Sequence, residues 1–204
     1  MSAALTIEVT DGISARYAQL IAGLGDRAGM HEAVGRECLG LTRNHLIHIA
    51  ATRHATAERL GATPSGHWAQ AAEKTTETHT AAAATITIRQ QGIGRAAHDV
   101  TIVPLGGKKW LTIPIHSSSY NQRAYRMQGL FFAQPKGKAT ALLGRREGTG
   151  KGASVTWLYM LVRSVFQKQD RTLIPTDDEY GVAAKLGVRN YVDYLLTRSA
   201  GGAN

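Results

Sequence analysis

The sequence predicts an α+β fold, with N-terminal helices and a C-terminal helix packed on an antiparallel β-sheet that carries long basic loops. Three observations point there. Apolar residues recur at steps of three or four before residue 54 and after residue 176, the period of a helix with one covered face. Between residues 85 and 166 the period shortens to two and β-branched and aromatic residues are enriched, as in strands. Helices first, strands together and a helix last is an α+β order, unlike the alternation that builds a parallel sheet. The expected organisation is one α+β domain over residues 1–204, with residues 55–84 an extended or mobile loop region and 199–204 a flexible tail.

Leu5, Ile7 and Val9 alternate with polar residues, which predicts a short half-buried strand. Asp11-Gly12 turns the chain, Ser14 caps a helix to about Leu24, and a longer helix follows from Arg27 to about His54. Met30, Val34, Cys38, Leu41, His45 and Ile49 form its stripe, widened by Leu39, Leu46 and Ala50. Residues 55–84 are rich in Ala and Thr, with Thr63-Pro64-Ser65-Gly66 as a loop and Trp68 as the anchor. Strands are expected around Ile86 and Ile88, over 100–105 and over 110–115, where Pro114 cannot donate to a ladder, so this strand lies at an edge or ends there. Residues 130–134 and 139–143 flank Pro135-Lys136-Gly137-Lys138 as a hairpin. The stretch 154–166 is apolar on both alternating faces, Val155, Trp157, Tyr159 and Leu161 on one and Leu158, Met160, Val162 and Phe166 on the other. It reads as a central strand covered on both sides. Thr176 followed by Glu179 is a capping box, and Tyr180, Ala184, Val188, Tyr191 and Leu195 give the closing helix its inner face.

Composition narrows the function. A single cysteine, Cys38, precludes an internal disulfide framework and suits a reducing compartment; on a helical pattern it reads as a small hydrophobe. No apolar run approaches the roughly 18 residues of a membrane span, and no basic stretch precedes the first apolar residues, so neither membrane nor secretory pathway is expected. The net charge of +9 is concentrated: residues 81–174 hold fourteen basic and three acidic side chains, while the flanks are each close to neutral. Such segregation turns the middle of the chain toward something anionic, nucleic acid or an acidic protein surface.

Motifs for chemistry fail on spacing. The run from Gly144 to Gly152 resembles a phosphate loop, but Arg145 stands where its first glycine belongs and Gly152 where its Ser or Thr belongs, and it leads into a strand. Gly92-Ile93-Gly94 lacks the third glycine. His45 and His48 lie one turn apart with His54 beyond, too few ligands for a metal. His116 beside Ser117, Ser118 and Ser119 lacks a nucleophile elbow and an orienting acid. No catalytic, cofactor or metal residue is assigned, and an enzyme is not expected. The candidates are basic residues in turns between strands, Arg123, Arg126, Lys136, Lys138, Arg145, Arg146 and Lys151, with Tyr120 and Tyr125 interleaved. Alternate turns of a meander emerge at one end of a sheet, so several of these are expected to form one patch, touching phosphates without reading sequence.

The order of features resembles the virion-morphogenesis proteins of tailed bacteriophages, the tail-completion, neck or head–tail joining family. The resembling parts are the helical pair SARYAQLIAGLGDRAGMHEAVGRECLGLTRNHLIHI, the loop with GHW, the strands WLTIPIHSSS and WLYMLVRSV, and DRTLIPTDDE before a helix ending in NYVDYLL. They span nearly the whole chain. The chain departs from the family at Gln169 to Pro175, where members often carry a Pro-Arg-Pro type of loop, and in its Ala/Thr-rich stretch and long basic loops. The resemblance implies a non-enzymatic structural protein of the virion, made in the host cytoplasm. It implies a homo-oligomeric ring, a hexamer, between portal-side connector and tail-tube or terminator proteins, with non-specific DNA contact in the lumen. The alternative from charge alone is a stand-alone basic nucleic-acid-binding protein.

Overall fold

The computed structural model describes residues 13–90 and 92–201; the strand expected over residues 5–9 lies outside them. Six helices and eight strands follow in the order α1 (Ile13–Gly25), α2 (Arg27–Thr52), α3 (Ala55–Leu60), α4 (His67–Glu73), β1 (Thr75–His79), β2 (Ala84–Ile88), α5 (Ile93–Ala96), β3 (Val100–Ile102), β4 (Leu111–Pro114), β5 (Leu130–Ala133), β6 (Ala141–Glu147), β7 (Ser154–Val162), β8 (Val165–Gln167) and α6 (Asp177–Gly201) among the described residues. The fold is α+β, with every strand pair antiparallel. Where one domain was expected, the chain divides into two compact units: Met1–Asn44, Lys74–Arg89 and Pro175–Asn204 in the first, His45–Glu73 and Gln90–Ile174 in the second.

The first unit holds α1, the start of α2, the β1–β2 hairpin and α6. Its helices meet over small residues. A Cβ on Gly187 of α6 would lie 2.6 Å from the Val34 Cα of α2, and one on Gly23 of α1 would lie 2.6 Å from Leu195 of α6. Tyr191 locks this junction, donating its hydroxyl to the Gly23 carbonyl at 2.8 Å. The buried positions of α6 are Ala183, Gly187, Tyr191 and Leu195, so the inner face differs from the expected one: Val188 is exposed and its neighbour Gly187 takes the contact, because close backbone approach leaves no room for a side chain. The capping box is present as read. The Thr176 amide donates to Glu179 Oε2 at 2.7 Å, and the Glu179 amide donates to Thr176 Oγ1 at 3.3 Å. The helix then continues to Gly201, beyond the expected tail start at 199; residues 202–204 lie outside the described residues.

The second unit contains a four-stranded sheet in the order β4-β7-β6-β5 and a two-stranded pair, β3 with β8. β4 lies at the edge and also ends at Pro114, so both alternatives expected of that proline hold. The long apolar stretch divides in two: β7 ends at Val162, and after Arg163 and Ser164 the chain leaves to form β8 with β3. A bulge interrupts β7 as well. Leu143 pairs with Tyr159 and Gly144 with Trp157, which leaves Leu158 without a partner position in β6 and swaps the faces beyond it. Leu158, Tyr159 and Leu161 are buried, while Val155, Trp157 and Phe166 are exposed, so the strand is covered on both sides only over its second half.

Residues 55–84, expected as extended loop, hold α3, α4 and β1. Alanine is the strongest helix former and needs little space, so Ala57, Ala71 and Ala72 are buried without bulky side chains, and the threonines of β1 suit a strand. Two further two-stranded sheets, the β1–β2 hairpin and the sequence-distant pair of β3 with β8, are thus separate from the single meander that periodicity suggested.

Candidate functional site

The register of the four-stranded sheet sorts the basic residues. The connection from β4 to β5, residues 115–129, crosses from one edge to the other and carries Arg123 and Arg126. It lies over the face of Tyr159, whose hydroxyl is within 3.1 Å of the Gln122 carbonyl and 2.9 Å of Met127 Sδ. The crossing begins from the end of the sheet where Pro114 and Leu130 stand, which is also where β6 turns into β7. Arg145 and Arg146 occupy the last part of β6 at this crossover end, and Lys151 sits in the turn Gly150–Gly152, its side chain outside the described residues.

Lys136 and Lys138 are at the opposite end, in the exposed turn between β5 and β6. The seven candidates therefore divide between the two ends of the sheet. Five belong to the crossover end and two to the hairpin end, because the connections between strands alternate ends. Arg145 and Arg146 are neighbours on a strand and so project to opposite faces. Arg145 is also partly neutralised by Glu147 at 3.2 Å, and Arg126 is held 5.8 Å from the exposed Tyr125 ring.

Sequence reading missed what joins Lys136 and Lys138. Leu111 pairs with Val162, and Leu161 with Ala141, so the residues just before β4 and just after β7 share their end of the sheet. These are Lys108, Lys109 and Trp110 on one side and Arg163 on the other, all exposed except the half-buried Trp110. Lys109 Nζ and Arg163 Cζ lie 5.6 and 5.3 Å from the Trp110 ring, and Phe132 of β5 stands 6.5 Å from it. The signal was present as Lys-Lys-Trp before a strand, but only the register brings Arg163 beside it.

The histidine and serine candidates have structural duties. His45 donates Nε2–H to the Thr172 carbonyl at 3.1 Å, which ties α2 to the segment after β8. Among the described residues no group of three His, Cys, Asp or Glu side chains gathers at one place. His116 Nδ1 accepts from the Ser118 amide at 3.2 Å, and the buried Ser119 lies 2.6 Å from the Leu158 carbonyl, fastening this turn to β7. Burial, with Glu37 adding to it, pushes the Cys38 thiol up, so it stays protonated. Asp170 is held below the usual carboxylate range, first by the Thr172 hydroxyl and also by Arg53, whose guanidinium reaches it at 2.8 Å. A cleft of about 360 Å³ opens between Arg53, His54, Ser65, His67, Trp68 and Tyr120, with His67 edge-on to Trp68.

No family model, curated protein or solved structure matches the chain.

Among the described residues no helix is long and apolar enough to cross a membrane. Charge follows the division of the chain: the second unit has fifteen basic and five acidic side chains, the first nine and ten. From residue 100 to residue 146 there is no carboxylate at all.

Proposed function

We propose that this chain is a structural component of a tailed-bacteriophage virion, a neck, tail-completion or head–tail joining protein that works as a ring at the head–tail interface. The observation that carries the reading is the order of elements: a helical pair, a sheet whose inner strand is WLYMLV, and a short Pro-ended loop into a capped closing helix. This is the order in which the sequence resembles that family. Nothing in the role requires turnover. It requires a firm subunit and projecting surfaces that neighbours can grip, and a ring multiplies a modest contact by its copy number.

The firmness has named sources in the Gly187–Val34 contact, the Thr176–Glu179 cap and the Ser119 and Tyr159 ties. The projecting surfaces are the basic ends of the sheet, which suit acidic faces of adjoining rings or DNA in the lumen. A sixfold ring between portal-side connector and tail-tube or terminator proteins is the arrangement proposed. The second reading, a stand-alone nucleic-acid-binding protein, is favoured only by the charge of the second unit.

Deleting the reading frame from its phage tests the proposal. Filled heads and complete tails should accumulate unjoined, and the chain supplied in trans should restore infectious particles. Joined particles in the deletion would exclude it. Reversing charge at Arg145, Arg146 and Lys151 together should likewise impair joining while leaving the far-ultraviolet circular dichroism of the chain unchanged.

A further inference from the structure

We propose that the hairpin end of the four-stranded sheet binds the phosphodiester backbone of nucleic acid, with Trp110 as the platform that holds Lys109 and Arg163 in position. The inference deepens the virion reading and rests on it only for where the nucleic acid is met; the residues themselves argue for the ligand.

Five cations meet at this end: Lys108 and Lys109 before β4, Arg163 after β7, and Lys136 and Lys138 between β5 and β6. Among the described residues none of the five makes an ion pair. The crossover end differs, since Arg145 there has Glu147. Unpaired like charges repel one another and are retained at a cost in self-energy, which a polyanion relieves.

Two of the cations are ordered before any ligand arrives. Arg163 and Lys109 both lie within 6 Å of the Trp110 ring, the range of a cation–π contact, and Phe132 backs the ring at 6.5 Å. The turn that carries Lys138 is pinned as well, Gln134 Nε2 donating to the Lys138 carbonyl at 3.0 Å. Less rotamer freedom then remains to be lost on binding.

The residue types decide between the two anionic partners. Four of the five cations are lysines. Lysine is depleted from the cores of protein–protein interfaces, whereas phosphate contacts accept it as a point charge that needs no fixed geometry. The Trp110 ring is engaged by cations, so it supports charges and does not stack bases. The site therefore takes duplex and single strand alike, without reading sequence.

Fluorescence anisotropy of a labelled short duplex and of its separated strand, titrated with the full chain over a range of salt, tests this. Replacing Lys108, Lys109 and Lys136 by Gln should flatten the plot of log affinity against log salt for duplex by about three, about one for each phosphate left without its lysine. The pair Arg123→Gln and Arg126→Gln, at the crossover end, should leave the slope unchanged. Equal flattening per charge removed by the two sets would reduce the effect to net charge and overturn the site. So would polyglutamate displacing the duplex at lower charge concentration than unlabelled duplex does, which would assign the patch to an acidic protein, and so would a marked preference for single strand, which would make Trp110 a stacking platform. Duplex binding fails independently of ring formation, so this inference and the virion role can be rejected separately.

Discussion

Thr42 and Tyr180 show how much one polar contact can fix. Thr42 Oγ1 donates to the Cys38 carbonyl at 2.8 Å, so its single proton is spoken for and Tyr180 must donate to it, also at 2.8 Å. Thr42 is fully buried, and burial raises the Tyr180 phenol above its ordinary value. Thr42→Val should cost about 1–3 kcal/mol by leaving the Tyr180 hydroxyl unmatched in place. Urea unfolding measures it, and a neutral result would mean that water satisfies the phenol. Glycines make an opposed pair of tests in helices. Alanine is favoured over glycine in a helix by about 1 kcal/mol, so Gly40→Ala, with open space around it, should stabilise by up to that much. At Gly187 the Val34 backbone stands in the way, and overpacking of about 1–3 kcal/mol should reverse the sign. Neither contact was legible in the sequence: a polar Thr42 on an apolar stripe and a glycine beside Val188 look like interruptions until the partner helix is known.

At the scale of elements, local chemistry was the most readable. A capping box is written in four residues, and Thr176→Ala should cost about 1 kcal/mol, visible as a lower thermal midpoint. Pro114 limited β4 to an edge or to ending there, and the strand does both. What period-two patterning could not convey was the bulge at Leu158, since an unpaired residue leaves the list of apolar side chains unchanged while swapping their faces. Nor could it convey that β8 leaves its sheet. The segment after β8 is tied by Arg53 to Asp170 and Thr172, and by the Asp170 amide to the Ala96 carbonyl at 2.8 Å. Because the folded state depresses the Asp170 pKa, its ionised form adds stability above the usual carboxylate value near 4, and this is lost as pH falls through the depressed value. The group is partly exposed, so the effect is small. Asp170→Asn should lie below the wild type in stability at neutral pH, with the gap closing in strong acid. A gap that stayed constant with pH would attribute the loss to packing and not to charge.

For the whole molecule, the charge asymmetry was legible in the sequence and its arrangement was not. Counting placed the excess in residues 81–174, but sheet order separates Lys136 and Lys138 from Arg123 and Arg126 and recruits Lys108, Lys109 and Arg163. In the proposed role, the two basic ends would serve a subunit gripped from two directions. Mass photometry of the purified chain tests this account most directly. It predicts a closed species at six times the 21.9 kDa chain mass, populated more as concentration rises. A single species at the chain mass across the whole concentration range, binding DNA as a monomer, would contradict it.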